Sequence, residues 1–180
     1  MKPFPKQFIT LDQSIIEKAK RFAADVVETV DYKDSNQFSK EKIREDHFVS
    51  KLGEEAVRQV FENFGRQVQG PDYTIYVQKQ KSWDADLQIN GLELAVKTQK
   101  KSAAHRYGLS WTFQSSAFRR DPILNDAEKW VCFVECDDTV SSYPCTVFPP
   151  VQVKKLTFKD PRLPHLKGKK RVVYAEDLPL

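Results

Sequence analysis

Residues 84–99 read DADLQINGLELAVKTQ, and the fold turns on how this stretch is paired. Asn90-Gly91 stands between two runs that alternate apolar and polar. That is the composition of a two-residue type I′ hairpin turn, whose two central residues both need positive φ. Setting Ile89 opposite Leu92 fixes the register, so Gln88 faces Glu93, Asp86 faces Ala95 and Asp84 faces Lys97. Side chains alternate across a strand. Ala85, Leu87, Ile89, Leu92, Leu94 and Val96 therefore form a core face. The opposite face carries Asp84, Asp86, Gln88, Glu93, Lys97 and Gln99, with Ala95 among them. Cross-strand pairs lie about 5 Å apart and diagonal neighbours about 7–8 Å. Carboxylates gathered that closely repel one another unless they are neutralised, and a hard divalent cation does so through oxygen ligands. A solvated polar face with an Asp84–Lys97 pair is the plainer alternative.

Outward from the hairpin, the N-terminal third is helical in pattern. Ile15, Ile16, Ala19, Phe22, Ala23, Val26 and Val27 recur at helical spacing within residues 11–30. A second helix is predicted over residues 41–64, where Phe48, Leu52, Ala56, Val57, Val60, Phe61 and Phe64 share one side and Gly65 ends it. The polar residues 31–40 between them read as a loop. Alternation of Tyr73, Ile75 and Val77 predicts a strand, as do residues 104–115, 130–135, 142–148 and 172–174. Residues 121–129 read as a loop or short helix, and residues 160–170 as a loop. Helices followed by strands predict one α/β (α+β) domain over residues 1–180, with a mixed central sheet flanked by helices. Residues 1–65 would be mostly helical, 70–150 would hold the sheet, and 151–180 would form a basic tail.

Composition narrows the class. Hydrophobic residues make up 40%, charged residues 30% and aromatics 12% of 180 residues, enough for one globular core. No apolar run reaches membrane-spanning or signal-peptide length, so a cytoplasmic protein with no membrane partner is expected. Cys132, Cys136 and Cys145 are odd in number and contain no CxxC pair, which predicts buried free thiols. Net charge is +4, but residues 151–180 alone carry eight Lys/Arg against three acids. The stretch from Lys97 to Arg106 has four Lys/Arg, His105 and no acid. Local basic patches on a balanced chain point to an anionic partner.

An Asp at the start of one strand, followed across a hairpin by an x-x-K triplet, resembles the PD-(D/E)xK nuclease superfamily, which includes type II restriction endonucleases. The matching positions are Asp86, with Asp84 two residues earlier, and Ala95-Val96-Lys97. Gly53-Glu54-Glu55 on the second helix is similar to a Gly-Glu that often opens the helix before the sheet in that superfamily. Glu54 shares the apolar face with Val57 and Phe61, whereas Glu55 is rotated toward Arg58. An inward carboxylate needs a partner, and a metal shared with Asp86 would supply one.

The resemblance implies a restriction-endonuclease-like core and Mg²⁺-dependent hydrolysis of DNA phosphodiesters, with Mn²⁺ as a substitute. Asp86, Glu54 and Asp84 would hold the metal, which would activate water and stabilise the phosphate in transit. Lys97 would place a positive charge near both. The chain departs from the pattern at Ala95, where the second acidic ligand belongs. Glu93 or Gln99 could take over that role, the protein could bind without cutting, or an acid at this position has been replaced. The replaced acid is the reading adopted, and it predicts an endonuclease inactivated at position 95. Binding of duplex DNA would then survive on phosphate contacts. Lys100, Lys101, His105 and Arg106 continue out of the site strand toward the backbone, while Arg106, Gln114, Arg119 and Arg120 are candidates for groove contacts. Two active sites for two strands make a twofold homodimer the economical arrangement. A nuclease-fold module that only binds nucleic acid or protein is the alternative function.

Overall fold

The computed structural model describes residues 4–29, 39–76 and 85–179. The hairpin forms as its turn chemistry dictates. Asn90 has φ 47° and Gly91 φ 79°. Strand β3 (Leu87–Ile89) pairs antiparallel with β4 (Leu92–Lys100) in the expected register, Ile89 opposite Leu92 and Leu87 opposite Leu94. Ladder pairing ends there. One residue earlier, the Asp86 carboxylate accepts the Val96 amide at 2.8 Å. The strand therefore closes on a side chain, and Asp86 opposite Ala95 is not a ladder pair. Ala85 leaves the core face with it and lines a surface cleft. Leu92, at the turn, is 48% exposed, whereas Leu87, Ile89, Leu94 and Val96 are buried as their alternation requires.

On its other side β4 runs parallel to β6 (Trp130–Cys136), from Leu94 opposite Trp130 to Lys100 opposite Cys136. Val131, Cys132, Phe133 and Val134 are all fully buried, the signature of a central strand covered on both faces. The sheet continues through β7 (Cys145–Val147) to β1 (Gln7–Ile9) at one edge, and through β3 to β2 (Val68–Gln69) at the other. A short β8 (Val151–Gln152) also pairs with β6. Strand β1 falls in the region expected to be helical, and its three residues were too few to show a period.

Helices α1 (Gln13–Thr29) and α2 (Lys40–Asn63) form as their periodicity predicts. The Ser39 hydroxyl accepts the Lys42 amide at the start of α2, and Gly65 at φ 70° follows its end. The two helices pack on each other, and α2 lies across β3, β4, β6 and β7. Leu52, Ala56, Val57 and Val60 join Leu87, Leu94, Val96, Cys132 and Val134 in one core. The approach is close at Gly53, where an added Cβ would stand 1.9 Å from the Thr98 hydroxyl. The sheet's other face packs Val131 and Phe133 against Trp111, Phe113, Phe148 and Val173. That second core is roofed by a separate antiparallel pair, β5 (Ser110–Gln114) with β9 (Lys170–Tyr174). Within the expected basic tail, β8 pairs with β6 and β9 with β5.

Of the predicted strands, 104–115 forms only in its second half, as β5, and 73–77 does not form over its described residues. Residues 71–76 carry no ladder, because Asp72 accepts the Thr74 amide and the Tyr76 hydroxyl while the Tyr73 hydroxyl donates to Glu55. Val77 lies outside the described residues. Residues 101–107 form a short helix, α3 (Lys101–Tyr107). Asp138, from the turn after β6, takes both the Ser102 amide and its hydroxyl. All three cysteines are free and buried. The outcome is a mixed α/β architecture, a mixed sheet flanked by helices with a small second sheet over its other face. No described helix is long and apolar enough to cross a membrane.

Candidate functional site

On the face of β4 away from α2, a cleft of about 470 Å³ opens between the hairpin and the loop after β5. Asp86, Glu93, Ala95 and Lys97 form its floor, as alternation along the hairpin requires. Gln114, Phe118, Arg119, Arg120 and Asp121 come from the opposite wall, with Lys129 and Trp130 at one end. Ala95 thus sits on the floor between Asp86 and Lys97, and its methyl group supplies no donor.

The Lys97 ammonium is held 2.5 Å from Asp121 Oδ2, with both side chains three-quarters buried or more. It also lies 5.0 Å from the centre of the Phe113 ring. Asp121 was not among the expected site residues. Its only trace in the sequence is a position in a loop 24 residues downstream, which no local spacing connects to Lys97. The expected partner, Asp84, lies outside the described residues. Glu93 is in the cleft, 3.1 Å from Lys129. Gln99 is not: it accepts the Ser110 amide and donates to the Gly108 carbonyl, so it ties β4 to the start of β5.

Glu54 is buried, as its place on the helix predicts, but its partner is Lys51, 2.5 Å away, with a second hydrogen bond from the Ser50 hydroxyl. The Lys51 ammonium also lies over the rings of Phe22 and Tyr73. Burial, and after it the negative charge of Asp86, raise the Glu54 carboxyl from its ordinary 4.5 to about 7. Glu55, expected to face away, is also buried and is held by Arg58 and the Tyr73 hydroxyl.

A divalent ion needs several oxygen donors facing one point. Asp86 already spends Oδ2 on the Val96 amide, Glu54 is occupied by Lys51 and Ser50, and position 95 offers none. Among the described residues, no three His, Cys, Asp or Glu side chains are grouped to hold a metal. Of the set expected from Asp86, Glu54 and Asp84, the first two are engaged in these contacts and Asp84 lies outside the described residues.

The candidate phosphate contacts divide. Arg119 and Arg120 line the cleft. Lys100 instead pairs with Glu45 at 2.6 Å, and Lys101 with Asp137 at 2.6 Å. His105 and Arg106 are exposed on α3 and do not line the cleft. The basic stretch was read as a continuation of the site strand, and the helical turn at Lys101 carries it elsewhere. Lys170 stands opposite Gln114 in the β5–β9 pair and does not itself line the cleft. Its pKa is lowered mainly by burial, Asp46 opposes that, and the charges of Lys42, Arg119 and Lys97 lower it further. No protein-family model, curated protein or solved structure matches this chain.

Proposed function

We propose that this protein is built as a metal-dependent DNA endonuclease on a restriction-endonuclease-like core, and that Ala95 leaves it able to bind DNA but not to cut it. One observation carries the reading: Asp86 and Lys97 share the floor of one cleft on either side of Ala95. The cationic side chains of Arg119 and Arg120 on that cleft suit a phosphate backbone, whose attraction does not depend on base sequence. Lys97 would approach the scissile phosphate, and Asp86 with an acid at position 95 would complete the donor set that the present residues lack.

Restoring that acid is the test. Ala95→Glu, incubated with duplex DNA and Mg²⁺ or Mn²⁺, is expected to nick or cut it, and the same chain with Lys97→Ala as well is expected to be silent. The unaltered protein is expected to retard duplex DNA in a salt-dependent manner without cleavage. Binding with no cleavage by Ala95→Glu over many sequences would favour the pure binding module. Failure of the unaltered protein to bind any nucleic acid would remove both readings.

A further inference from the structure

Phe118 is fully exposed, at 101% of its reference area, on the rim of the cleft. A phenylalanine in water forgoes the favourable transfer of its whole ring. Nothing in this fold explains the position: its ring meets no other ring among the described residues. Nor is the exposure that of a slack loop. Ser115 bridges Arg120, the Ser116 amide donates to the Arg119 carbonyl at 3.1 Å, and the Ser116 hydroxyl accepts the Arg119 amide at 3.0 Å. The Asp121 amide then closes on the Gln114 carbonyl at 2.9 Å. Phe118 therefore stands at the apex of a tightly hydrogen-bonded turn that presents its ring outward.

Its neighbours say what the ring would meet. Arg119 and Arg120 follow it directly, both line the cleft, and neither has a carboxylate partner among the described residues. Lys97, by contrast, is matched by Asp121, and Lys129 by Glu93. The rim is thus one exposed aromatic face beside two guanidinium groups with no carboxylate against them among the described residues, the Arg120 side chain donating only to the Leu124 carbonyl. That pairing suits a strand of nucleic acid, whose bases stack on aromatic rings while its phosphates take the cations.

Resting on the nucleic-acid reading above, we infer that the Ser116–Arg119 turn is a stacking wedge, and that the preferred partner is a nucleic acid with an unpaired base beside the phosphate in the cleft. In an intact duplex both faces of every base are covered, so Phe118 would have to open a step at a cost. A single strand, a bulge or a mismatch offers the face without that cost. Wedge and cleft floor belong to one opening, so stacking at Phe118 would fix which phosphate lies over Lys97.

Binding is measured with the full chain by fluorescence anisotropy, using a labelled matched duplex, the same duplex with one unpaired base, and the single strand. The expected order places both probes with an unpaired base ahead of the matched duplex. Phe118→Ala is expected to weaken binding to those two probes by roughly 5- to 100-fold, with little change on the matched duplex. Phe118→Trp is expected to keep the preference and to show quenching of the added indole on the unpaired probes alone. The Phe118 ring is fully exposed, so the far-UV circular dichroism of these variants should match the parent. Equal affinity for all three probes, or an unpaired-base preference that survives Phe118→Ala, would overturn the wedge and leave the proposed function standing. Absence of binding to any probe would overturn both. A change in solution mass on Phe118→Ala, with nucleic-acid affinity unaltered, would assign the ring to a second copy of the chain and overturn the wedge.

Discussion

Glu54 carries the largest resolved carboxyl shift near the site, and its consequence for stability has a definite sign. In the unfolded chain the group ionises near 4.5, whereas in the fold it keeps its proton to about 7. Between those values the folded state binds more protons, so stability falls as pH rises through that window, by up to roughly 3 kcal/mol. Urea unfolding at pH 5 and pH 8 is expected to show this loss, and the double variant Lys51→Met, Glu54→Gln is expected to lack it. Lys51→Met alone leaves a buried carboxylate without its cation, and it should cost about 3–5 kcal/mol at pH 8 and less at pH 5. Lys97 answers to a different acid. Asp121 neutralises it within the cleft, so Asp121→Asn is expected to tighten duplex DNA binding about threefold at moderate salt, measured by anisotropy.

At the scale of elements, the contact between α2 and β4 is set by an absent side chain. Gly53 stands where a Cβ would strike the Thr98 hydroxyl, itself buried with no hydrogen-bond partner among the described residues. Gly→Ala in a helix is ordinarily stabilising by about 1 kcal/mol. Here overpacking outweighs that gain, and Gly53→Ala is expected to destabilise by about 1–3 kcal/mol. Thr98→Ala in the same chain removes the obstructing hydroxyl and should recover most of the loss, a non-additive pair readable from denaturation midpoints. The fold holds helix and strand this close just ahead of Glu54, so the same glycine helps set the distance between Glu54 and the hairpin.

At the scale of the molecule, β6 serves two cores at once. Cys132 and Val134 face the helices, while Val131 and Phe133 face the small sheet. The Trp111 indole N–H donates to the Val134 carbonyl at 2.9 Å, which ties the small sheet to the central strand. Phe133→Ala would open a cavity in one core and is expected to cost about 3–5 kcal/mol. Because β6 is shared, far-UV circular dichroism, dominated by α1 and α2, and the tryptophan fluorescence of a Trp83→Phe, Trp130→Phe chain, which then follows Trp111 in the second core, should shift together in a single transition. Separate transitions would mean that the two cores unfold independently.

The sequence alone determined the features that depend on neighbours along the chain. Helical period set α1 and α2, the demand for positive φ at Asn90-Gly91 set the hairpin, and alternation set which side chains of β4 face the helices. Those same rules put Asp86, Ala95 and Lys97 on one face and turned Glu54 inward. Only the tertiary structure decided who partners whom. Asp121 reaches Lys97 from 24 residues away, Lys51 answers Glu54, and Asp138 holds the start of α3, a helix that takes up the first residues of an expected strand. Local pattern records which face a residue occupies, because the backbone's period is geometric. The choice of a charged or hydrogen-bonding partner is settled by what packing brings within about 3 Å, and that distance is written nowhere in the order of residues.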